Sequence, residues 1–292
     1  MRPAAALRRD GEPWLISDPA FEKFKDLILG ETGILLSPAK KALLTGRLTR
    51  RLRDLQLTSF EAYFARVVAD PDERVQMLDR ITTNETHFYR EPRHFKFLAD
   101  EVFPSWRAEA VQGRRSRAIR AWSAGCSTGE EPYSLAMTLL DAFPQGSGWE
   151  VEVIGTDLST RVLARAAAAV WPIAKASEIP EPMLRTFMLQ GVGPSVGVMK
   201  AGPELRAHVS FRRLNLNDLS YGLPRFDLVF CRNVLIYFDA DARDRALGRL
   251  LSHVDEQGYF FVGHAESLAN SRHPVRNVSA TVYARAIDHG VR

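Results

Sequence analysis

Between Asp18 and about Ile81 apolar residues recur at helical spacing. Phe21, Phe24, Leu27 and Ile28 fall at i, i+3, i+6 and i+7, and Leu44, Leu48, Leu52 and Leu55 at i, i+4, i+8 and i+11. A single apolar stripe per segment predicts amphipathic helices around a shared core. The punctuation agrees: Pro38 suits a first helical turn, Thr58-x-x-Glu61 has capping-box spacing ahead of Phe60, Phe64 and Val67, and Asp70-Pro71 opens another helical run. Residues 18–81 are therefore expected to form a small all-helical domain, preceded by an N-terminal tail at 1–17.

After residue 81 the period changes. Short apolar runs, Ala118 to Trp122, Val151 to Thr156, Val209 to Leu214, Phe226 to Phe230, Tyr259 to Gly263 and Ala280 to Arg285, alternate with helical stretches. That alternation predicts an α/β domain over 82–292 with a parallel, helix-covered sheet. It pauses between Pro180 and Arg206, where Gly191, Gly193, Pro194 and Gly197 separate Phe187-Met188-Leu189 from Val196 to Met199. A glycine-looped antiparallel hairpin, inserted at about 180–207, is the expectation there.

Composition narrows the class. The 292 residues suffice for two domains, and 46% hydrophobic with 25% charged residues is globular usage, which excludes a mainly disordered or collagenous chain. No run approaches the roughly 18 apolar residues of a membrane span, and Ala4 to Leu7 is too short for a signal peptide, so a cytoplasmic protein without membrane insertion is expected. Cys126 and Cys231 stand 105 residues apart with no Cys/His cluster, encoding neither a disulfide framework nor a metal site. The net charge of +4 decides little, but Pro38 to Leu57 carries six basic residues against one acid, more than the chain's whole excess.

Candidate chemistry begins at Arg120 to Tyr133, where a strand runs through Gly125-Cys-Ser-Thr-Gly129-Glu130-Glu131 into a helix. Backbone N–H groups at such a helix start can meet a ligand. Neither G-x-G-x-x-G nor G-x-x-x-x-G-K-[ST] is present, and two glutamates would repel a pyrophosphate, so the loop suits a cationic ligand. Asp157 ends the next strand, 32 residues after Gly125, where an acid commonly holds ribose hydroxyls. It reads equally as an acid beside the next helix start at Ser159. Together the two elements favour a phosphate-free nucleoside with a positive centre, and S-adenosylmethionine fits, its ammonium against Glu130 and its ribose on Asp157.

Longer strings go further. Thr83-Asn-Glu-Thr-His-Phe-Tyr-Arg90, Ser123-Ala-Gly-Cys-Ser-Thr-Gly-Glu-Glu-Pro-Tyr133, Gly155-Thr-Asp157, Asn215-Leu216, Phe230-Cys-Arg-Asn-Val-Leu-Ile-Tyr-Phe-Asp239 and Gly263-His264 resemble the motifs of the chemotaxis receptor glutamate methyltransferases, over roughly residues 18 to 285. Ala265 departs from the serine expected there. The resemblance implies a Rossmann-like S-adenosylmethionine methyltransferase fold with a small N-terminal all-helical domain and an inserted antiparallel β-subdomain. It implies methyl transfer from S-adenosyl-L-methionine to chemoreceptor glutamates, leaving S-adenosyl-L-homocysteine. It also implies cofactor contacts at Asn84, Thr86, Arg90, Glu130, Asp157, Asn215, Leu216, Arg232 and Asn233.

Arg90 can pair with the cofactor carboxylate, and Asn215 reads otherwise as part of a turn, Asn215-Leu-Asn-Asp218. Tyr237, after the strand at 226–230, is expected to orient the incoming carboxylate; the competing reading is an aromatic packed with Phe238. A glutamate is already ionised near neutral pH, so neither His87 nor His264 is assigned as a base.

On a helix from Pro38 to Leu57, Lys40, Arg47, Arg50 and Arg51 fall within about 100° of one another. With Arg53 they are expected to dock the acidic methylation helices of a chemoreceptor. The hairpin insertion resembles the subdomain that holds a receptor's C-terminal peptide in some family members. Two rivals remain. A nucleic-acid methyltransferase is opposed by Arg232-Asn-Val-Leu-Ile-Tyr237, which stands where base-amino enzymes carry Asn/Asp-Pro-Pro-Tyr/Phe; a non-catalytic protein of the same fold is opposed by the intact cofactor strings.

Overall fold

The computed structural model describes residues 14–269 and 271–286. The signal-peptide expectation, and most of the expected tail, fall on residues 1–13 and lie outside the described residues. Trp14 and Ile16, counted above with the tail, are buried in the helical core instead.

Four helices form the first unit: α1 (Asp18–Thr32), α2 (Lys41–Asp54), α3 (Phe60–Ala69) and α4 (Pro71–Ile81). Their stripes, among them Phe21, Phe24, Leu48, Leu52, Tyr63, Val67 and Met77, meet in one core. Two boundaries differ from expectation. Pro38 to Lys40 is a separate 3-10 turn, and α2 starts only at Lys41. The cap of α3 is Ser59, whose hydroxyl accepts from Ala62 N at 3.1 Å, rather than Thr58; the presumed box partner Glu61 accepts from Ser17 Oγ. Asp70 does cap α4, accepting from Asp72 N and Glu73 N.

The second unit opens with one helix in three parts, α5 (Pro92–Phe97), a π-helical turn (Leu98–Val102) and α6 (Phe103–Val111). There follow β1 (Ala118–Ala124), α7 (Glu130–Ala142), β2 (Glu150–Asp157), α8 (Thr160–Ala168), β3 (Val170–Pro172), α9 (Glu181–Phe187), β4 (Met188–Gln190), β5 (Val198–Ala201), α10 (Pro203–Ala207) and β6 (Val209–Arg213). The chain closes with β7 (Phe226–Cys231), α11 (Ala240–Ser252), β8 (Val254–Val262), β9 (Val275–Ser279) and β10 (Val282–Arg285).

Seven strands form the main sheet in the order β6-β2-β1-β7-β8-β10-β9. The first five are parallel; β10 runs antiparallel to β8 and to β9. The all-parallel expectation is thus corrected at one edge: β9 and β10 form a hairpin, which needs no helical crossover and so reverses direction. Both faces are covered, and side chains alternate between them. Ile119, Ala121, Leu228 and Phe230 face α6 and α7, whereas Trp122, Ala124, Val229 and Cys231 face α11.

The small antiparallel sheet is ordered β3-β5-β4, with Leu189 opposite Lys200 and Trp171 opposite Met199. Its third strand, β3, lies ahead of the 180–207 stretch in which the insertion was expected. Among the described residues no helix is long and apolar enough to cross a membrane.

Candidate active site

Strand order reverses between β1 and β7, and the loops leaving the C-terminal ends of β1, β2, β6 and β7 open there, where ligands bind in doubly wound sheets. One cleft collects them. It is lined from the sheet side by Gly125, Ser127, Glu131, Asp157, Leu214, Asn215, Leu216, Arg232, Asn233, Val234 and Tyr237. The facing wall comes from the linker at 82–90 and from the helical unit, with Asn84, Thr86, Arg90, Ile34, Leu35, Lys40, Leu43 and Arg47.

The β1 loop turns sharply at Gly125, at φ +80°, and a Cβ there would stand 2.5 Å from Val234 Cγ2. Only glycine lets the two strand-end loops approach so closely. Ser127, also left-handed at φ 50°, is the hub: its amide donates to Asp157 Oδ2 at 2.9 Å and its hydroxyl to the carbonyl of Asn84 at 2.9 Å. Ser127 thus joins the β1 loop to both the linker and the end of β2, alongside the Gly125 and Cys126 amides that donate to the Thr156 carbonyl.

Asp157 is buried, and Ser159 N donates to its other oxygen at 2.9 Å. Burial raises its carboxyl above the usual aspartate range, opposed by the Ser159 and Ser127 amides. The Leu158 amide acts in the same sense, and the two oxygens keep acceptor capacity toward the cleft, suited to vicinal hydroxyls. Helix capping is done by Ser159, whose hydroxyl accepts from Val162 N, so Asp157 is not the cap.

Arg90 is flanked by two left-handed residues, Tyr89 (φ 50°) and Glu91 (φ 57°), and its guanidinium donates to the Glu85 carbonyl at 3.2 Å. Such paired strain marks a backbone shaped for a site. Arg232 lies behind it. Its guanidinium pairs with Glu131 at 2.6 Å, also donates to the Arg90 carbonyl, and reaches to 3.4 Å of His94 Nδ1. Ser123 Oγ donates to Glu131 at 2.7 Å, completing a buried network. Burial, with the Arg232 charge, pushes His94 down to about 4.

Glu130, expected beside the cofactor ammonium, is not among the cleft-lining residues. It is 1% exposed, receives the Thr128 hydroxyl at 2.6 Å and pairs with Lys175 at 3.0 Å. Lys175 also donates to the Thr86 carbonyl, so this acid steadies the linker from behind while its neighbour Glu131 borders the cleft. Asn215 lines the cleft while making the turn: its Oδ1 accepts from Asn217 N, and its Nδ2 donates to the Glu31 carbonyl at 2.7 Å. Asn233 takes φ 59°, with its buried Oδ1 unpartnered. That orphaned acceptor, the Asp157 oxygens and the Arg90 cation form a donor and acceptor set that fits a nucleoside carrying an amino-acid group.

The basic helix divides. Arg47 belongs to the cleft, where it donates to the Ile81 carbonyl and to Thr83 Oγ1; burial lowers its guanidinium, with Tyr237 acting in the opposite sense. Arg51 is bound by the buried Glu73 at 2.8 and 3.0 Å, and Lys41 is paired with Asp18. Arg50 and Arg53 are exposed. The continuous ridge expected from spacing is therefore corrected: Lys40 and Arg47 line the cleft, Arg51 is held by Glu73, and Arg50 is left exposed. Neither His87 nor His264 is among the residues that line it.

Residues that sequence reasoning passed over include Ile34, Leu35 and Leu43 on the facing wall and Ser127 at the hub. Ile34 and Leu35 carried one signal, an apolar run between α1 and Pro38 outside any helical stripe, whereas Leu43 lies within α2 beside its buried stripe.

With its doubly wound sheet, strand-end acid, N-terminal helical unit closing the cleft and inserted small sheet, the chain has the fold of the S-adenosylmethionine methyltransferases whose family models it matches. The family model "CheR methyltransferase, SAM binding domain" matches residues 84–284, and "CheR methyltransferase, all-alpha domain" matches 19–82. Chemotaxis protein methyltransferase 2 of Pseudomonas aeruginosa is 39% identical over 91% of this chain and 92% of its own length. The chemotaxis protein methyltransferase of Salmonella typhimurium is 35% identical over 94% of this chain and 92% of its own. The chain belongs to the CheR family of chemotaxis methyltransferases, with both the all-helical and the S-adenosylmethionine-binding domains present.

Proposed function

We propose that the protein methylates the side-chain carboxylates of chemoreceptor glutamates, forming glutamate methyl esters and S-adenosylhomocysteine. The observation that carries this reading is the pairing, in one cleft, of a strand-end acid with an opposed cationic wall: Asp157 on one side, Arg47 and Lys40 on the other, with Tyr237 between the two units. S-adenosylmethionine supplies, when bound, a methyl carbon on a sulfonium; the carboxylate oxygen forms the new C–O bond as the C–S bond breaks and its electron pair returns to sulfur. No proton moves, so no general base is required, in keeping with a cleft bordered by neither His87 nor His264.

In this reading the protein's work is positioning and desolvation. Asp157 receives the ribose hydroxyls, Arg90 pairs with the cofactor carboxylate, and Asn84, Thr86, Asn215, Leu216 and Asn233 frame the remainder. Arg232 acts at one remove, by holding the Arg90 backbone, and Glu130 likewise through Lys175. Arg47 and the Tyr237 hydroxyl orient the incoming carboxylate.

Arg50 and Arg53 steer the acidic receptor helices toward the cleft, an effect on encounter rate that fades with salt. The small sheet offers β4 as an edge, with Leu189, Val192 and Val196 largely exposed around it. Strand addition of a receptor C-terminal peptide there would raise the local receptor concentration. Absence of binding to such a peptide at high micromolar concentration would remove that tether.

The test is transfer of labelled methyl from S-adenosylmethionine to receptor-containing membranes, followed by mild alkali. Carboxyl methyl esters release volatile methanol. Alkali-stable label would overturn the carboxylate reading in favour of nitrogen methylation of protein or nucleic acid.

A further inference from the structure

Beneath the loop that carries Asn233 and Tyr237 lies a carboxylate that the sequence reading did not use. Glu266, three residues past the end of β8 and its turn at Gly263, has no solvent exposure. Its Oε2 accepts from Asn233 N at 2.6 Å and Gly263 N at 2.8 Å. Its Oε1 accepts from Val234 N at 3.0 Å and Ile236 N at 3.2 Å. Every partner is a backbone donor, so both oxygens act purely as acceptors, and the side chain works as a template for four amides that lack partners in any sheet or helix. Three of those amides lie in 233–236.

Two further features make this a lock rather than an incidental contact. Asn233 is held at φ 59°, a conformation asparagine tolerates but does not favour, so something must over-determine it. Gly263 is closed against the same group: an added Cβ would meet Asn233 Nδ2 at 2.6 Å and Glu266 Oε2 at 2.8 Å. The loop then reaches the helical unit, where the Tyr237 carbonyl accepts from Leu35 N at 2.8 Å.

We propose that Glu266 is a positioning residue for methyl transfer: its carboxylate sets the backbone of 233–237 and thereby the placement of Asn233 and Tyr237 in the cleft. It is buried and is not among the residues that line the cleft. The inference rests on the functional reading above in giving those two residues roles in transfer.

The test compares Glu266→Gln, Glu266→Asp and Leu268→Ala in the full chain. Leu268 is a buried apolar residue of the same segment and controls for stability alone. Glutamine places an NH2 donor against two of the four amides and should displace the loop, whereas aspartate keeps both acceptor oxygens. Three readouts are taken: urea midpoint, S-adenosylhomocysteine affinity by calorimetry, and kcat and KM for methyl transfer. For Glu266→Gln we expect a loss of kcat of roughly thirtyfold or more under conditions where the variant is fully folded, partial recovery in Glu266→Asp, and wild-type kcat in folded Leu268→Ala.

Wild-type kcat in folded Glu266→Gln would overturn the proposal, as would equal losses in Glu266→Gln and Leu268→Ala at matched stability. Failure of the wild-type chain itself to bind the nucleoside or transfer methyl would instead count against the functional reading.

Discussion

At the residue scale the cleft turns on a few polar atoms whose environments differ sharply. Asp157 offers two acceptor oxygens, each already oriented by a backbone amide. Replacing Asp157 by Asn keeps the shape but exchanges one acceptor for a donor; we expect S-adenosylhomocysteine affinity to fall roughly thirtyfold, about 2 kcal/mol for hydrogen bonds to a charged group, measured by calorimetry with the fold checked by circular dichroism. Tyr237 lines the same cleft. Tyr237→Phe should lower kcat about tenfold, the worth of one hydrogen bond of about 1.4 kcal/mol, and leave nucleoside affinity unchanged; an unaltered kcat would take its hydroxyl out of the reaction. Neighbouring glutamates in one string took different tasks, Glu131 to Arg232 and Glu130 to Lys175. Adjacent helical positions diverge by about 100°, and only the packed helix decides which faces a cavity.

At the element scale, α5 brings a histidine under the cleft and α2 a row of arginines beside it. His94 is held near 4 by burial and the charges of Arg232 and Arg93, with Glu91 opposing. The folded state keeps it neutral where the unfolded chain, near 6.5, protonates it. Its contribution to stability is therefore complete above the unfolded value and is lost as pH falls from about 6.5 toward 4, by at most about 3 kcal/mol. Urea midpoints measured from pH 7 to 4.5 should fall less steeply in His94→Gln than in the unmodified chain; parallel slopes would refute this. On α2 the two neighbouring arginines should behave oppositely. Arg50→Glu is expected to slow receptor methylation at low salt with unchanged stability, because an exposed charge acts on encounter. Arg51→Glu should lower the unfolding midpoint, because it leaves the buried Glu73 carboxylate facing a like charge next to Tyr63. Thermal melts alongside salt-dependent initial rates separate the two.

At the scale of the whole molecule, the cleft exists because two units share a seam. The Ile34 to Phe238 bridge, Asp239 N donating to the Gly33 carbonyl at 3.0 Å, and Thr160 on Asp79 at 2.8 and 2.6 Å join them, while Leu158 packs into the helical core. A nucleoside held between these walls should stabilise both. S-adenosylhomocysteine at a hundred times its dissociation constant contributes about 2.7 kcal/mol, raising a single melting transition by about 4–5 °C in calorimetry. Protection confined to one of two resolved transitions would contradict a shared cleft.

What the sequence alone determined follows from local physics. The 3.6-residue period of Phe21 to Ile28 and Leu44 to Leu55 and the apolar runs of β1, β2, β6 and β7 encode elements whose faces must be buried, and the ordered strings around Gly125, Asp157 and Arg232 carried the family resemblance. What only the tertiary structure decided depends on partners distant in the chain. Spacing placed Arg47 on the same ridge as Arg50, yet the Ile81 carbonyl and Thr83, more than thirty residues on, draw it into the cleft. Arg51 loses its free charge to Glu73 for the same reason. Ser127 and Glu266 gain their roles only when separate loops converge at the reversal of strand order. A periodic pattern records which side of an element is buried, because burial is a property of each residue's face; hydrogen-bond partners are a property of the assembled pair, and no local pattern contains them.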